Sequence, residues 1–210
     1  MKPDTKNQKP KTEISLDFEK QAIADGYKFI AGVDEVGRGC LAGAVVAAAV
    51  VLDLSKPVIE GLDDSKKLTA KRRETLDAQI RERAVCFAVA QIEAEEIDRI
   101  NILQATKKAM IAAVGKLNPA ADFLLIDALQ LKEIDLPQKA IIHGDAISAS
   151  IAAASIVAKT YRDNLMCELD KIYPAYGFAK HAGYGTKAHF AALREYGATA
   201  LHRKTFRGVL

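Results

Sequence analysis

The chain has 210 residues, half of them apolar, and its 30 Lys and Arg against 27 Asp and Glu leave a net charge of +3. That length suits one substantial domain with a small appendage, and the longest apolar run, twelve residues from Leu41 to Leu52, falls short of the about 20 that a membrane-spanning helix needs. Cys40, Cys86 and Cys167 are too few and too scattered for a disulfide framework or a zinc ribbon, and read as reduced thiols of a cytoplasmic protein.

In chain order, residues 1–14 read as a disordered basic tail, polar and lysine-rich, with none of the apolar run of a secretory signal. Ser15 to Asp25 has helical spacing and is closed by Gly26. Tyr27 to Val33 reads as a strand that ends at Asp34-Glu35. A glycine-rich turn, Gly37 to Gly43, leads into a continuous β-branched run from Ala44 to Leu54, which predicts a central strand antiparallel to the first. Thr69 is placed to cap a helix to about Arg83, and Val85 to Ile92 is strand-like. Asn101 to Leu117 is helical in period and stops at Asn118-Pro119. Short strands follow at Asp122 to Ile126, ending in Asp127, and at Ala140 to Ile142, ending at His143-Gly144-Asp145. A long helix from about Ala146 to Ile172 is broken by Pro174, and a last helix runs from Thr186 to Tyr196 and is closed by Gly197. The order predicts an α/β fold, a mixed sheet with helices on both faces.

Charge is unevenly spread. Residues 1–12 carry +3 and residues 176–210 carry +5, which leaves −5 for the body between them. Such ends are either solvated or a basic surface for phosphate beside an acidic, metal-filled centre. Solvation is the ordinary explanation, and the placement of the carboxylates is what keeps the second reading open. Asp34, Glu35, Asp127 and Asp145 all fall at strand ends, where chemistry collects in open α/β sheets. With no Cys or His interleaved, such a group suits Mg²⁺ or Mn²⁺, and two ions about 4 Å apart can hydrolyse a phosphodiester. Each also has an ordinary explanation: Asp145 as a helix N-cap, Asp127 as a turn residue. Asp34 and Glu35 are adjacent, so a strand sends them to opposite faces. No H-E-x-x-H and no phosphate-binding G-x-x-x-x-G-K-[ST] occurs, which argues against a zinc hydrolase and an ATPase.

The words around these residues are familiar. Ile30 to Gly39 with Leu41-Ala42-Gly43 resembles the signature of bacterial ribonuclease HII. So do Asp64-Ser65-Lys66-Lys67-Leu68, Gly144-Asp145 with Ile151 to Lys159 and Arg162-Asp163, Tyr176-Gly177-Phe178 with Gly183-Tyr184-Gly185-Thr186, and His202-Arg203 with Phe206. These blocks are collinear with the family over about residues 28–207. Val36, Cys40 and Ala44 depart from the family's Ala, Pro and Pro, and Ile147 stands where a polar residue is common.

The resemblance implies a ribonuclease H-like five-stranded sheet over residues 15–172 and a helical substrate-binding extension over 173–210. It implies action on RNA–DNA hybrids and on duplex DNA containing ribonucleotides, leaving 5′-phosphate and 3′-hydroxyl ends. A monomer is expected, although no motif bears on it. Asp34, Glu35, Asp127 and Asp145 would hold the metals. Gly37, Arg38 and Gly39 would meet the minor groove and sense the 2′-OH, the mark of RNA. Tyr184 would stack on the following deoxyribose, and Ser65, Lys66 and Lys67 would bind the backbone. Arg203, within the basic C-terminal end, is a further candidate for substrate binding by its charge. Lys159, Arg162 and Asp163 read as structural, the first and last as an i,i+4 pair. The competing readings are a resolvase-like DNA nuclease and a silent nucleic-acid-binding module.

Overall fold

The computed structural model describes residues 14–210, so all but the last residue of the expected basic tail lies outside it. A five-stranded sheet is built from β1 (Ile30–Val36), β2 (Val45–Leu52), β3 (Ala84–Ile92), β4 (Phe123–Asp127) and β5 (Gln138–Ile141) in the order β3-β2-β1-β4-β5. β1 pairs antiparallel with β2, as the short glycine-rich connection requires, and parallel with β4. β2 pairs antiparallel with β3, and β4 parallel with β5. The sheet is therefore mixed. β1 starts and ends three residues later than its sequence suggests, so Asp34 and Glu35 lie inside the strand, opposite Ala48 and Ala47.

Helices cover both faces. α4 (Ile102–Val114) closes one core with Ala31, Val33, Ala47, Leu124 and Ile126. α2 (Ala70–Arg83) and the long α5 (Ala149–Ile172) close the other with Val46, Ala48 and Val50. α5 lies so close to β1 that a Cβ at Gly32 would collide with the Ser150 and Ile151 backbone. α1 (Asp17–Ala24), α6 (Phe178–His181) and α7 (Lys187–Tyr196) complete the helices that bear on the site, and α3 (Ala94–Ile100) is a short polar helix without a sequence signal. Thr69 and Thr186 cap α2 and α7 as expected, accepting from the Arg72 and His189 amides. Asp145 does not cap α5. It sits in one turn of 3₁₀ helix, Gly144–Ala146, and the cap is Ser148, whose hydroxyl accepts from the Ile151 amide.

That junction is pinned from the N-terminal side. Glu19 of α1 is fully buried, and its Oε1 accepts from Ser148 Oγ (2.8 Å), the Ser150 amide (2.8 Å) and Ser150 Oγ (2.7 Å). Ser15 adds backbone bonds to Ile147 and Ala149. Glu19→Ala strands three buried donors, and about 2–4 kcal/mol of stability should be lost. Urea unfolding of the variant reads this directly, and an unchanged midpoint would show that the Glu19 bonds do not stabilise the junction.

Candidate active site

Asp34, on β1, is 4% exposed. Its Oδ1 accepts the Glu35 amide at 2.7 Å, and Ser155 of α5 hydrogen-bonds the same carboxylate. Ser155 Oγ lies 2.9 Å from Ser65 Oγ, which ties the 63–68 loop to the strand end. Burial, and then the neighbouring charge of Glu35, hold the Asp34 carboxyl well above the usual range. Burial also raises Glu35, against the pull of Arg38, and Asp127, whose Oδ1 accepts the Gly144 amide at 2.7 Å. Asp127 is pushed up further by Asp145. The four carboxylates thus sit in one electrostatic neighbourhood although they come from three chain segments.

Among the described residues, no three acidic, His or Cys side chains converge as a finished metal cage. Glu35 Oε1 instead bonds Arg38 at 3.1 Å, and Asp145 Oδ2 lies 3.6 Å from Lys66 Nζ. Glu35 Oε2 is buried without a partner. An all-oxygen donor set, mutual repulsion and an orphaned carboxylate oxygen fit a hard divalent cation. Burial works against the Lys66 charge, yet Asp145, Asp64 and Asp34 hold its ammonium above the usual lysine range.

The Gly37–Gly43 turn is braced from inside by two fully buried arginines. Arg203 donates to the carbonyls of Gly37 (2.7 Å), Arg38 (2.9 Å) and Gly43 (2.9 Å). Arg162 donates to those of Ala44 (3.0 Å), Ala42 (3.1 Å) and Ala182 (2.8 Å). Neither forms a salt bridge among the described residues. The expected phosphate contact of Arg203 is therefore corrected: its donors are spent on the backbone and it has no exposed surface. Because a trans peptide points its N–H away from its C=O, drawing the Gly37 and Arg38 carbonyls inward turns the Arg38 and Gly39 amides outward. Neither amide has an internal acceptor among the described residues.

The two glycines differ in purpose. Gly37 has φ +91°, and a Cβ there would strike the Arg162 side chain, so its freedom serves the brace. Around Gly39 there is open space, so only there does a missing side chain leave room for an outside partner.

Gly37, Arg38 and Gly39 share a cleft of about 210 Å³ with Glu35, Ser65, Lys66, Ser155, Lys159 and Tyr184. Tyr184 is 41% exposed, with its ring beside the buried Cys40 thiol. Ser65 is buried on Ser155, and Lys67 points outward and pairs with Asp63 at 3.1 Å. Lys159 reaches Asp163 at 2.5 Å, and Asp163 holds Arg73 at 3.1 Å, which also donates to the Ser65 and Leu68 carbonyls. Sequence reading missed Ser155 and Arg73. Ser155 was legible as the residue one helical turn before Lys159; Arg73 gave no signal.

A mixed five-stranded sheet with helices on both faces and electrostatically linked carboxylates on β1, on β4 and in the turn before α5 defines a hydrolase of the ribonuclease H-like class, dependent on metal. The family model described as Ribonuclease HII matches residues 31–209. The chain belongs to the ribonuclease HII family and is a ribonuclease H. It is 57% identical to a ribonuclease HII of Desulfitobacterium hafniense over 94% of this chain and 75% of that one. It is 54% identical to one of Aliivibrio fischeri, covering 88% and 89%. Among solved structures, the PCNA:RNase HII complex from Archaeoglobus fulgidus superposes with a TM-score of 0.73 at 25% identity, over 86% of this chain and 96% of that one. No helix among the described residues is long and apolar enough to cross a membrane.

Proposed function

We propose that this ribonuclease H cuts the RNA strand of RNA–DNA hybrids and also incises 5′ of single ribonucleotides embedded in duplex DNA, leaving 5′-phosphate and 3′-hydroxyl ends. One observation carries the reading: the outward amides of the Gly-Arg-Gly turn, Lys66, Tyr184 and the carboxylate Glu35 open into a single cleft. Asp34, Glu35, Asp127 and Asp145 would hold two divalent ions, Mg²⁺ or Mn²⁺, whose Lewis acidity activates water and eases departure of the 3′ oxygen. The Arg38 and Gly39 amides would meet the ribose hydroxyl, which deoxyribose lacks. Lys66 and Lys67 would take up backbone phosphates, and Tyr184 would lie on the sugar that follows. Residues 173–210 would act as the substrate-binding extension, in a cytoplasmic monomer.

Chelation tests the metal. EDTA should abolish cleavage of a hybrid, and Mg²⁺ or Mn²⁺ should restore it; undiminished cleavage in EDTA would remove the carboxylates from the chemistry. Specificity is tested by pairing a duplex that holds one ribonucleotide with a continuous hybrid. Tyr184→Ala should slow the first about tenfold more than the second, since only the first presents a deoxyribose to the ring. Gly39→Ala should fold normally and slow both. Equal losses for Tyr184→Ala would make the tyrosine scaffold, and equal cutting of all-DNA duplex by the wild type would favour the resolvase-like reading.

A further inference from the structure

Beneath Tyr184 lies a pair of histidines that the proposed chemistry does not use. His189 of α7 and His202 are both buried, in a cluster with Leu41, Met166, Tyr176 and Phe178. Their Nε2 atoms are 3.0 Å apart, so one ring must donate and the other accept. The outer partners decide which. The Thr199 amide donates to His202 Nδ1 at 3.0 Å, so that nitrogen carries no proton and His202 must be protonated at Nε2. His189 Nε2 then accepts, its own proton lies on Nδ1, and that N–H meets the Tyr184 carbonyl at 3.0 Å. Each ring has one permitted tautomer, and the chain runs one way, from Thr199 to Tyr184. Burial holds both rings below the ordinary histidine range, His202 at about 4, so both stay neutral at working pH.

The ends of this chain are informative. Its origin, the 199–203 segment, also carries Arg203, and is tied to the turn by the Gly43 amide on Leu201 O (2.9 Å) and the Arg203 amide on Leu41 O (2.8 Å). Its far end is the Tyr184 backbone. A Leu or Phe pair would fill this apolar cluster without burying four ring nitrogens that must all be satisfied. What histidine adds is a directional link of fixed length.

We propose that His189 and His202 are positioning residues that set the distance between the Gly-Arg-Gly turn and Tyr184, and so determine how sharply a ribonucleotide–deoxyribonucleotide junction is distinguished from continuous RNA. The role rests on the reading of Tyr184 given above.

Two measurements test it. In the wild type, imidazole ¹⁵N spectra at neutral pH should show His202 protonated at Nε2 and His189 at Nδ1; the opposite tautomers overturn the link. In the paired cleavage assay, His189→Phe keeps an aromatic ring, slightly larger, and deletes both nitrogens, and the junction-to-hybrid rate ratio should fall about fivefold. His189→Asn places an amide N–H where Nδ1 stood and should recover most of that ratio. If His189→Phe and His189→Asn slow both substrates alike, the histidines merely support the fold and the proposal fails. If Tyr184→Ala leaves the ratio unchanged, the Tyr184 reading itself fails and the positioning role falls with it. A ratio that responds to Tyr184→Ala but not to His189→Phe overturns the histidine link alone.

Discussion

Asp34→Asn is expected to lose at least about 100-fold of the cleavage rate, given the several kcal/mol that a catalytic metal supplies, while the metal-free variant unfolds at the same or a higher temperature than the wild type. The thermal half follows from the electrostatics of the site. The Asp34 carboxyl is held well above its usual range by burial and by Glu35. An acid whose folded pKa exceeds its unfolded value destabilises the fold as pH rises past the unfolded value, with the full cost reached above the folded one. An amide escapes that cost and can still accept from the Glu35 amide and Ser155. Asp127→Asn should behave alike, although there the Gly144 amide offsets part of the penalty. Rate and melting temperature, measured on the same preparations, decide the matter. A near-normal rate would return Asp34 to the ordinary residues, and a sharply lowered melting temperature would assign it to the scaffold.

Arg203→Met is expected to be costly in stability. It keeps the stem but strips the Gly37, Arg38 and Gly43 carbonyls of their shared donor. At about 1–3 kcal/mol for each buried group left unpaired, at least about 3 kcal/mol should go, which lowers the melting temperature of a chain this size by about 6–12 °C. The residual activity of folded protein should fall as well, because the outward amides lose their direction. Lys66→Met removes an exposed ammonium instead; stability should hold, and the salt dependence of binding should flatten by about one unit of slope. Equal melting temperatures for Arg203→Met and wild type would show that the carbonyls find other partners.

The contrast shows where sequence reading reaches its limit. The sheet was legible because continuous runs such as Val45–Leu52 admit little else; the candidate carboxylates stood out only through the family resemblance, since each has an ordinary role on spacing alone. α3 was not, since only Ala94 and Ile97 of its seven residues are buried and no period can form. The cap that the chain offered as an ordinary role for Asp145 is excluded because an extra 3₁₀ turn separates it from α5, a detail set by Glu19 and Ser15 more than 120 residues away. Arg203 was placed on the surface by charge counting, which treats every arginine as solvated. Gly37 and Gly39 look equivalent in the chain. Only the direction of the missing side chain separates a glycine that admits a buried arginine from one that admits a partner.

Arg162 and Arg203 have a consequence for ionic strength. Burial pushes the Arg203 guanidinium down to about 10, so it remains charged at neutral pH; Asp98 acts on it without forming an ion pair among the described residues. Salt screens exposed charges such as Lys66 and Lys67 over about 8 Å in physiological saline, but reaches a buried charge far less. The bonds from the two buried guanidiniums to the carbonyls of the turn lie out of reach of that screening. The shape of the turn should therefore persist in brines that silence the lysines.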